Sequence, residues 1–128
     1  MSGGPNGENA VKLKEDYLSG EANLNAPSIA VQEVTNSLWK AIKNGRIQEE
    51  DAQEALRTLQ DMQIALHEFN WTETAETLKI TCKLNLTIYD ACYLFLSEKL
   101  GINLITADDQ LYERARKHFK IIHIKDYR

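Results

Sequence analysis

The sequence has few of the residues that mark disulfide-rich, loop-rich or membrane proteins. Only two cysteines, two prolines and six glycines occur in its 128 residues. Cys82 and Cys92 form neither a CxxC pair nor a dense framework, so we expect reduced, buried thiols in a cytoplasmic protein. No apolar run approaches the ~20 residues that span a bilayer, and the first residues show no signal-peptide pattern.

Several catalytic signatures and an excess of positive charge are also missing. The sequence contains no GxGxxG, P-loop, GxSxG or HExxH motif, which leaves nucleotide-cofactor, serine-hydrolase and zincin functions without support. The net charge of −4 argues against broad non-specific binding of nucleic acid. An RNA ligand would therefore need a local basic rim or a bridging metal ion.

What is present is the composition of an ordinary globular protein, 43% apolar and 27% charged. We expect residues 1–7, MSGGPNG, to be a flexible tail and residues 8–128 to form a single domain. Helices are predicted over residues 8–19, 28–44, 48–62, 70–84, 87–100 and 109–118, and short strands over 22–26, 65–69, 103–106 and 121–124. Strands separated by helices predict an α/β fold with a small, mostly parallel sheet flanked by helices.

The stretch from Thr87 to Leu111 carries two aspartates, Asp90 and Asp108, that we expect to lie near each other in the fold. Thr87 fits an N-cap, and Asp90 three residues later can complete a capping box with it. The helix body that follows is nearly all apolar, which predicts that it is buried. A helix of an α/β layer runs antiparallel to the strands it covers, so its start lies at the carboxyl edge, where the next strand ends. Asp90 and Asp108 are therefore expected to face each other at the edge where open α/β sheets bind ligands.

Two carboxylates in a partly buried site repel each other, and a hard cation such as Mg²⁺ or Mn²⁺ relieves that repulsion. The alternative for each residue is structural: Asp90 only caps its helix and Asp108 only starts the next one. Glu33 falls in the early turns of another helix, and it joins the pair if the preceding strand is parallel to the later ones. Its alternative is a solvated polar helix face.

Three segments of the chain resemble the PIN-domain family, and VapC-type toxins of toxin–antitoxin pairs in particular. They are residues 26–38 (APSIAVQEVTNSL), 84–101 (LNLTIYDACYLFLSEKLG) and 104–112 (LITADDQLY), with the YDA and TAD motifs as the most specific part. The resemblance implies a divalent-metal-dependent endoribonuclease whose metal ligands map onto Glu33, Asp90 and Asp108. It also implies an RNA substrate, a VapB-type antitoxin as partner and a homodimer.

The resemblance and the helix faces add secondary candidates. Thr106 matches the hydroxyl position of the TAD motif, Asp109 is an auxiliary acid, and Asn36 shares a helix face with Glu33. A basic rim for RNA is expected from Lys40, Lys43, Arg46 and Arg114, with solvated helix charges as the alternative.

The chain departs from the family at its beginning. Family members open with a strand that ends in an aspartate, and MSGGPNG offers neither. We therefore expect the first strand and the first ligating acid to be missing, leaving a gap that self-association would cover. The alternative function is a catalytically impaired PIN-like module that binds a protein partner or a second copy of itself. Trp39 would then lie on the docking surface; its own alternative is packing in the core. A receiver-like phosphate-handling domain ranks last, because no acids follow a first strand.

Overall fold

A computed structural model describes residues 24–127. The predicted tail at 1–7, the predicted helix at 8–19 and the question of the first strand all lie outside the described residues. From residue 24 onward the predicted order of helices and strands is confirmed. The strands are β1 (Asn25–Pro27), β2 (Ala65–His67), β3 (Leu104–Thr106) and β4 (Ile121–His123); the helices are α1 (Ala30–Lys43), α2 (Glu49–Asp61), α3 (Trp71–Leu84), α4 (Ile88–Leu100) and α5 (Asp109–Ala115), with a 3₁₀ turn at Ile124–Asp126.

The strands pair as two parallel pairs, which confirms the expected α/β class with parallel strands flanked by helices. β1 pairs with β2 and β3 pairs with β4, and the described strands form no further sheet. The two pairs belong to separate compact units, one of residues 25–68 and one that contains residues 69–127. The resemblance places a further strand between such pairs, N-terminal to β1, and this part of the prediction falls outside residues 24–127.

The unit of residues 25–68 is a β-α-α-β arrangement closed by hydrogen bonds between its two strands. β1 ends at Pro27, one residue later than predicted, and the fully buried ring of this proline occupies a strand end, where its missing N–H costs least. The Ser28 N–H then donates to the carbonyl of His67 at 2.8 Å. Nε2 of His67 lies 2.9 Å from Oδ1 of Asn25, which confirms the interpretation of His67 as a structural histidine.

The second unit is built around α4, the predicted buried helix. Ala91, Leu94 and Leu96 are buried, whereas Ile88 and Tyr89 in the first turn are partly exposed. Leu94 forms the core with Leu111 and Ala115 of α5, and side chains of α3, β3 and β4 pack around them. The helix is thus buried through its body and open at the end that carries Asp90. The expectation that both cysteines are buried is wrong, because Cys82 is exposed on α3.

Two caps fix where α3 and α4 begin. Asn70 and Glu73 form the predicted capping box: Asn70 Oδ1 accepts the Glu73 N–H at 2.8 Å, and Glu73 Oε1 accepts the Asn70 N–H at 3.1 Å. This excludes Thr72 as the cap. Thr87 caps α4 as predicted, with its Oγ1 accepting the Asp90 N–H at 3.1 Å, and Gly101 ends α4 in the left-handed conformation.

Candidate metal centre

Asp90 is placed by the first turn of α4. The N-cap Thr87 has extended backbone angles, and its bond to the Asp90 N–H fixes the direction in which the helix starts. The side chain of Asp90 is half-buried, in the first turn of a helix whose following residues, from Ala91 to Leu96, are apolar or aromatic apart from Cys92. Burial raises the pKa of the Asp90 carboxyl, the Thr87 hydroxyl works against that rise, and the charge of Asp108 adds to it. The fold thus destabilises the charged form of Asp90, because the hydrogen bond from Thr87 does not offset the effects of burial and of the Asp108 charge. We call such a carboxylate incompletely compensated.

Asp108 is placed by the end of β3 and the start of α5. Its backbone N–H donates to Thr106 Oγ1 at 3.0 Å, and its Oδ1 accepts the N–H of Leu111 at 3.0 Å. The structural alternative for Asp108 is therefore real, since this residue is the N-cap of α5. Capping occupies one carboxylate oxygen and leaves Oδ2 outside that bond, so the same residue remains able to bind a ligand at the exposed edge of the unit.

The two acids act on each other electrostatically. Burial is the main cause that raises the pKa of Asp90, and the negative charge of Asp108 adds to that rise. The helix–strand geometry expected from the sequence brings these two residues to one edge, and the structure places both at the ends of elements that pack together in one unit. A like-charged pair of this kind is a place where a cation would be stabilised.

The donors present fit a magnesium-like ion better than a transition-metal cage. Within residues 24–127, no three His, Cys, Asp or Glu side chains are grouped closely enough to hold a metal ion by themselves. Mg²⁺, however, keeps several waters and is commonly held by only one or two carboxylates together with substrate phosphates. Asp90 and Asp108 match that requirement, with oxygen donors of the hard type that Mg²⁺ and Mn²⁺ prefer.

The third predicted acid belongs to the other unit. Glu33 lies in the first turn of α1 and is partly buried, and the exposed Asn36 follows it on the same helix. The Ser37 hydroxyl donates to the Glu33 carbonyl at 3.1 Å, a local bond that leaves the Glu33 carboxylate uninvolved. The assignment of Glu33 as a metal ligand and of Asn36 as an auxiliary residue therefore stays a prediction.

The predicted basic rim divides between the two units. Lys40 and Lys43 lie on α1 and Arg46 follows it, whereas Arg114 lies on α5. Two of these cations have partners: Nζ of Lys43 lies 5.3 Å from the ring centre of Trp39, and Arg114 donates to the backbone carbonyl of Asn85. Trp39 itself is 53% exposed, so the alternative that it packs in the core is not supported.

Sequence reasoning missed a partnership beside the site. Asp109, expected to be an auxiliary acid, has Oδ1 only 2.7 Å from Nε2 of His123. The only signal in the sequence was the position of His123 in the predicted last strand; its place opposite Thr106 depends on the parallel register of β3 and β4, which the structure supplies. A histidine at the end of a parallel strand belongs to the same carboxyl edge as the acid after the neighbouring strand.

Comparisons with known proteins identify the family of this chain. The family model of the PIN domain matches residues 1–117. A curated relative named Ribonuclease VapC3, from Pyrobaculum aerophilum, is 34% identical over 101 residues, 78% of this chain and 77% of that protein. Ribonuclease VapC1 of Mycobacterium tuberculosis is 32% identical over 107 residues, 82% of this chain and 76% of that protein.

The fold has a counterpart among solved structures. The crystal structure of PAE2754 from Pyrobaculum aerophilum superposes with a TM-score of 0.66 at 24% identity, covering 80% of this chain and 71% of that one. At that identity the likeness supports the fold alone. Because the PIN model spans most of the sequence and a curated relative is 34% identical over most of both chains, this chain belongs to the PIN-domain family.

Proposed function

We propose that this chain is a divalent-metal-dependent endoribonuclease of the toxin–antitoxin type, acting in the cytoplasm. The observation that carries the proposal is the placement of two acids in one unit: Asp90 is half-buried in the first turn of α4, and Asp108 lies between β3 and α5. The charge of Asp108 adds to the rise that burial causes in the pKa of Asp90. Burying an ionised carboxylate is costly, and a half-buried acid with a raised pKa, such as Asp90, marks a candidate functional site. The ribonuclease names of the two curated relatives support RNA as the substrate class.

Each residue of the centre has a distinct task. Asp90 and Asp108 would hold Mg²⁺ or Mn²⁺. For Glu33, which belongs to the other unit, the role of a metal ligand rests on the family motif alone. When bound, such an ion supplies an activated water and neutralises the charge that develops on the scissile phosphate. Thr106 fixes the backbone of Asp108 through the 3.0 Å bond to its N–H, so the carboxylate is presented in one direction. No covalent intermediate with the protein is required.

RNA would be held mainly through its phosphates. Lys40, Lys43 and Arg46 form a short basic series along the end of α1, in a chain whose net charge is −4. A local positive surface of this kind binds the backbone without reading its sequence, and its affinity falls with added salt. Arg114, in the other unit, is a separate candidate cation for RNA, and its guanidinium already binds the Asn85 carbonyl.

The proposal is tested by cleavage of a circular, internally labelled RNA in Mn²⁺ or Mg²⁺. A circle has no ends, so its linearisation reports endonuclease activity alone. We expect linear products with the wild-type chain, and none in EDTA or with Asp108→Asn, which keeps a good N-cap while it loses the charge. Cleavage by Asp108→Asn at the wild-type rate, or wild-type cleavage that survives EDTA, would contradict the proposal.

A second candidate function, a PIN-like module that binds a protein partner, is favoured by an apolar groove in the unit of residues 25–68. The groove has a volume of about 500 Å³ and is lined mainly by apolar side chains of α1, α2 and β2, among them Val31, Val34, Leu59 and Leu66. An apolar groove between helices accepts the apolar face of an amphipathic helix. We assign it to a VapB-type antitoxin.

Partner binding and self-association can be separated from catalysis. We expect Leu59→Glu to abolish co-purification with the co-expressed antitoxin and to leave RNA cleavage intact. Light scattering of the wild-type chain alone is expected to give the mass of a homodimer. Cleavage that is absent from a folded wild-type chain that still binds antitoxin would make the binding module the better description.

A further inference from the structure

His123 is a buried histidine whose side chain is bonded to an exposed acid beside the candidate metal centre. The residue is only 3% exposed, whereas the side chain of its partner Asp109 is 90% exposed. The distance from Nε2 of His123 to Oδ1 of Asp109 is 2.7 Å, which is short for an N–H···O bond. A bond between a buried ring and an exposed carboxylate anchors the exposed group rather than the buried one.

The hydrogen bonds of the ring define its tautomer. Nδ1 of His123 accepts the backbone N–H of Lys125 at 3.3 Å, and this bond caps the 3₁₀ turn at Ile124–Asp126. A nitrogen that accepts carries no proton, so the ring proton is on Nε2 and is donated to Asp109. The ring is further fixed by Tyr112, which meets it edge to face with the ring centres 5.7 Å apart. His123 is therefore held rigidly from two sides.

This anchor acts on the segment that carries Asp108. Asp109 is the first residue of α5, and Asp108 immediately precedes it. β4 contributes His123 at the position paired with Thr106, whose hydroxyl holds the Asp108 N–H. Two hydrogen bonds therefore hold the short link from β3 to α5: Asp109 is bonded to His123 of β4, and the Asp108 N–H is bonded to Thr106 of β3. They lie on either side of Asp108 in the sequence.

We propose that His123 is a positioning residue for the metal centre: through Asp109 it fixes the start of α5 and so the direction of the Asp108 carboxylate. The inference rests on the proposed function and deepens it. Asp109 then contributes through its hydrogen bond to His123 and is not itself a ligand of the ion. Residues that orient ligands in this way typically change metal affinity by 10- to 100-fold when they are lost.

Mn²⁺ affinity, measured by calorimetry or by electron paramagnetic resonance, tests the inference without using activity. Asp109→Ala removes the acceptor at an exposed position and is expected to weaken Mn²⁺ binding about 10-fold. Asp109→Asn keeps an acceptor oxygen for the Nε2 proton while it removes the charge, and it is expected to stay close to wild type. His123→Leu should match Asp109→Ala, and His123→Gln, which can donate from a similar position, should restore most of the affinity.

The outcomes separate this role from its competitors. Equal losses in Asp109→Asn and Asp109→Ala would show that the charge of Asp109 binds the ion directly, which would overturn the inference. Wild-type affinity in both His123→Leu and Asp109→Ala would also overturn it and leave the proposed function standing. The double variant His123→Leu with Asp109→Ala should bind no more weakly than either single variant, because both remove the same bond. A wild-type chain that binds no Mn²⁺ would overturn the proposed function and this inference together.

If His123→Leu does not fold, Asp109→Asn and Asp109→Ala test the positioning role by themselves, because Asp109 is exposed. Urea denaturation of Asp109→Asn and Asp109→Ala establishes that both are folded before their affinities are compared. A Mn²⁺ affinity lost in the alanine variant and kept in the asparagine variant supports positioning, and any other order contradicts it.

Discussion

The first turns of α3 and α4 each carry an acid, and the fold treats the two acids in opposite ways. Glu73 on α3 completes a capping box with Asn70 and binds Lys99 at 2.6 Å. The hydrogen bond from Lys99, followed by the one from the Asn70 backbone, lowers the pKa of Glu73. Asp90 on α4 is half-buried, and burial together with the charge of Asp108 raises its pKa.

The difference distinguishes an acid used for stability from one kept for function. Both positions look alike in the sequence, an acid three residues after a cap, where the helix dipole favours negative charge. Glu73 has its charge satisfied by a neighbouring helix, and a further ligand would have to compete with Lys99. Asp90 meets another carboxylate instead, an arrangement that costs free energy in the absence of a cation.

The largest expected effect is on catalysis, from the same chemical change made at both acids. Asp90→Asn should reduce metal-dependent RNA cleavage by about 100-fold or more, because it removes a ligand of the proposed ion. Glu73→Gln makes the matched change at the satisfied acid and should alter the rate less than about 2-fold. Initial rates on a labelled RNA at saturating Mn²⁺ measure both. An equal loss of cleavage rate in the two variants would contradict the distinction between Asp90 and Glu73.

The caps should contribute similar stability and differ in function. Asn70→Ala and Thr87→Ala each remove an N-cap and should lower the free energy of unfolding by about 1 kcal/mol, as urea titrations would show. Only Thr87→Ala should also weaken Mn²⁺ binding at mildly acidic pH, because the Thr87 hydroxyl lowers the pKa of Asp90. Thr87→Ser, which keeps the hydroxyl, is the control and should behave like wild type. Unchanged Mn²⁺ binding by Thr87→Ala would mean that the N-cap of α4 contributes to stability but not to the metal centre.

Removing the charge of Asp90 should stabilise the metal-free chain slightly at neutral pH. A carboxyl whose pKa is higher in the folded state binds protons more tightly there, so the free energy of unfolding falls as pH rises from the unfolded pKa through the folded one. The penalty is absent below pH ~3.9, the ordinary value for Asp, and grows as pH rises through the folded pKa. Urea titrations of Asp90→Asn in EDTA at both pH values should show a gain at pH 7 only. A loss of stability at pH 7 would mean that the charge of Asp90 is compensated after all.

The smallest effect is the opposite pH dependence at Glu73. A carboxyl whose folded pKa is lowered contributes stability above its unfolded pKa, and that contribution disappears as pH falls through the folded value. Lys99→Ala should therefore destabilise the chain modestly at pH 7 and have no effect at low pH. The group is near the surface, so solvent screening keeps the change below that of a lost cap. Destabilisation of the same size at both pH values would instead point to lost packing of the lysine stem.

Local signals predicted most of the described fold. The periodic apolar pattern, the caps at Asn70 and Thr87 and the stop at Gly101 are local features, and they located the helices to within a few residues. Strand ends and sheet membership depend on backbone partners distant in the sequence, which no local pattern encodes. The sequence therefore indicated parallel strands but did not indicate their pairing as β1–β2 and β3–β4. Tertiary contacts also decided exposure, as Cys82 shows.

The candidate site was predictable where topology alone decides it. The pairing of Asp90 with Asp108 was inferred from the rule that a helix start and the next strand's end share an edge, and their joint role as metal ligands stays a prediction. Side-chain partners were not predictable in this way. The bonds from His123 to Asp109 and from Arg114 to Asn85 depend on rotamers and on register, so the sequence alone assigned Asp109 and Arg114 only to generic roles.

Mn²⁺ binding by the purified wild-type chain, compared with Asp90→Asn and Glu73→Gln, tests the central claim most directly. The claim is that an incompletely compensated pair of aspartates, rather than acidity at a helix start in general, forms the core of a metal centre. We expect Mn²⁺ to bind the wild-type and Glu73→Gln chains with similar affinity and to bind Asp90→Asn at least 10-fold more weakly. Equal affinity for Asp90→Asn and the wild-type chain would contradict the claim.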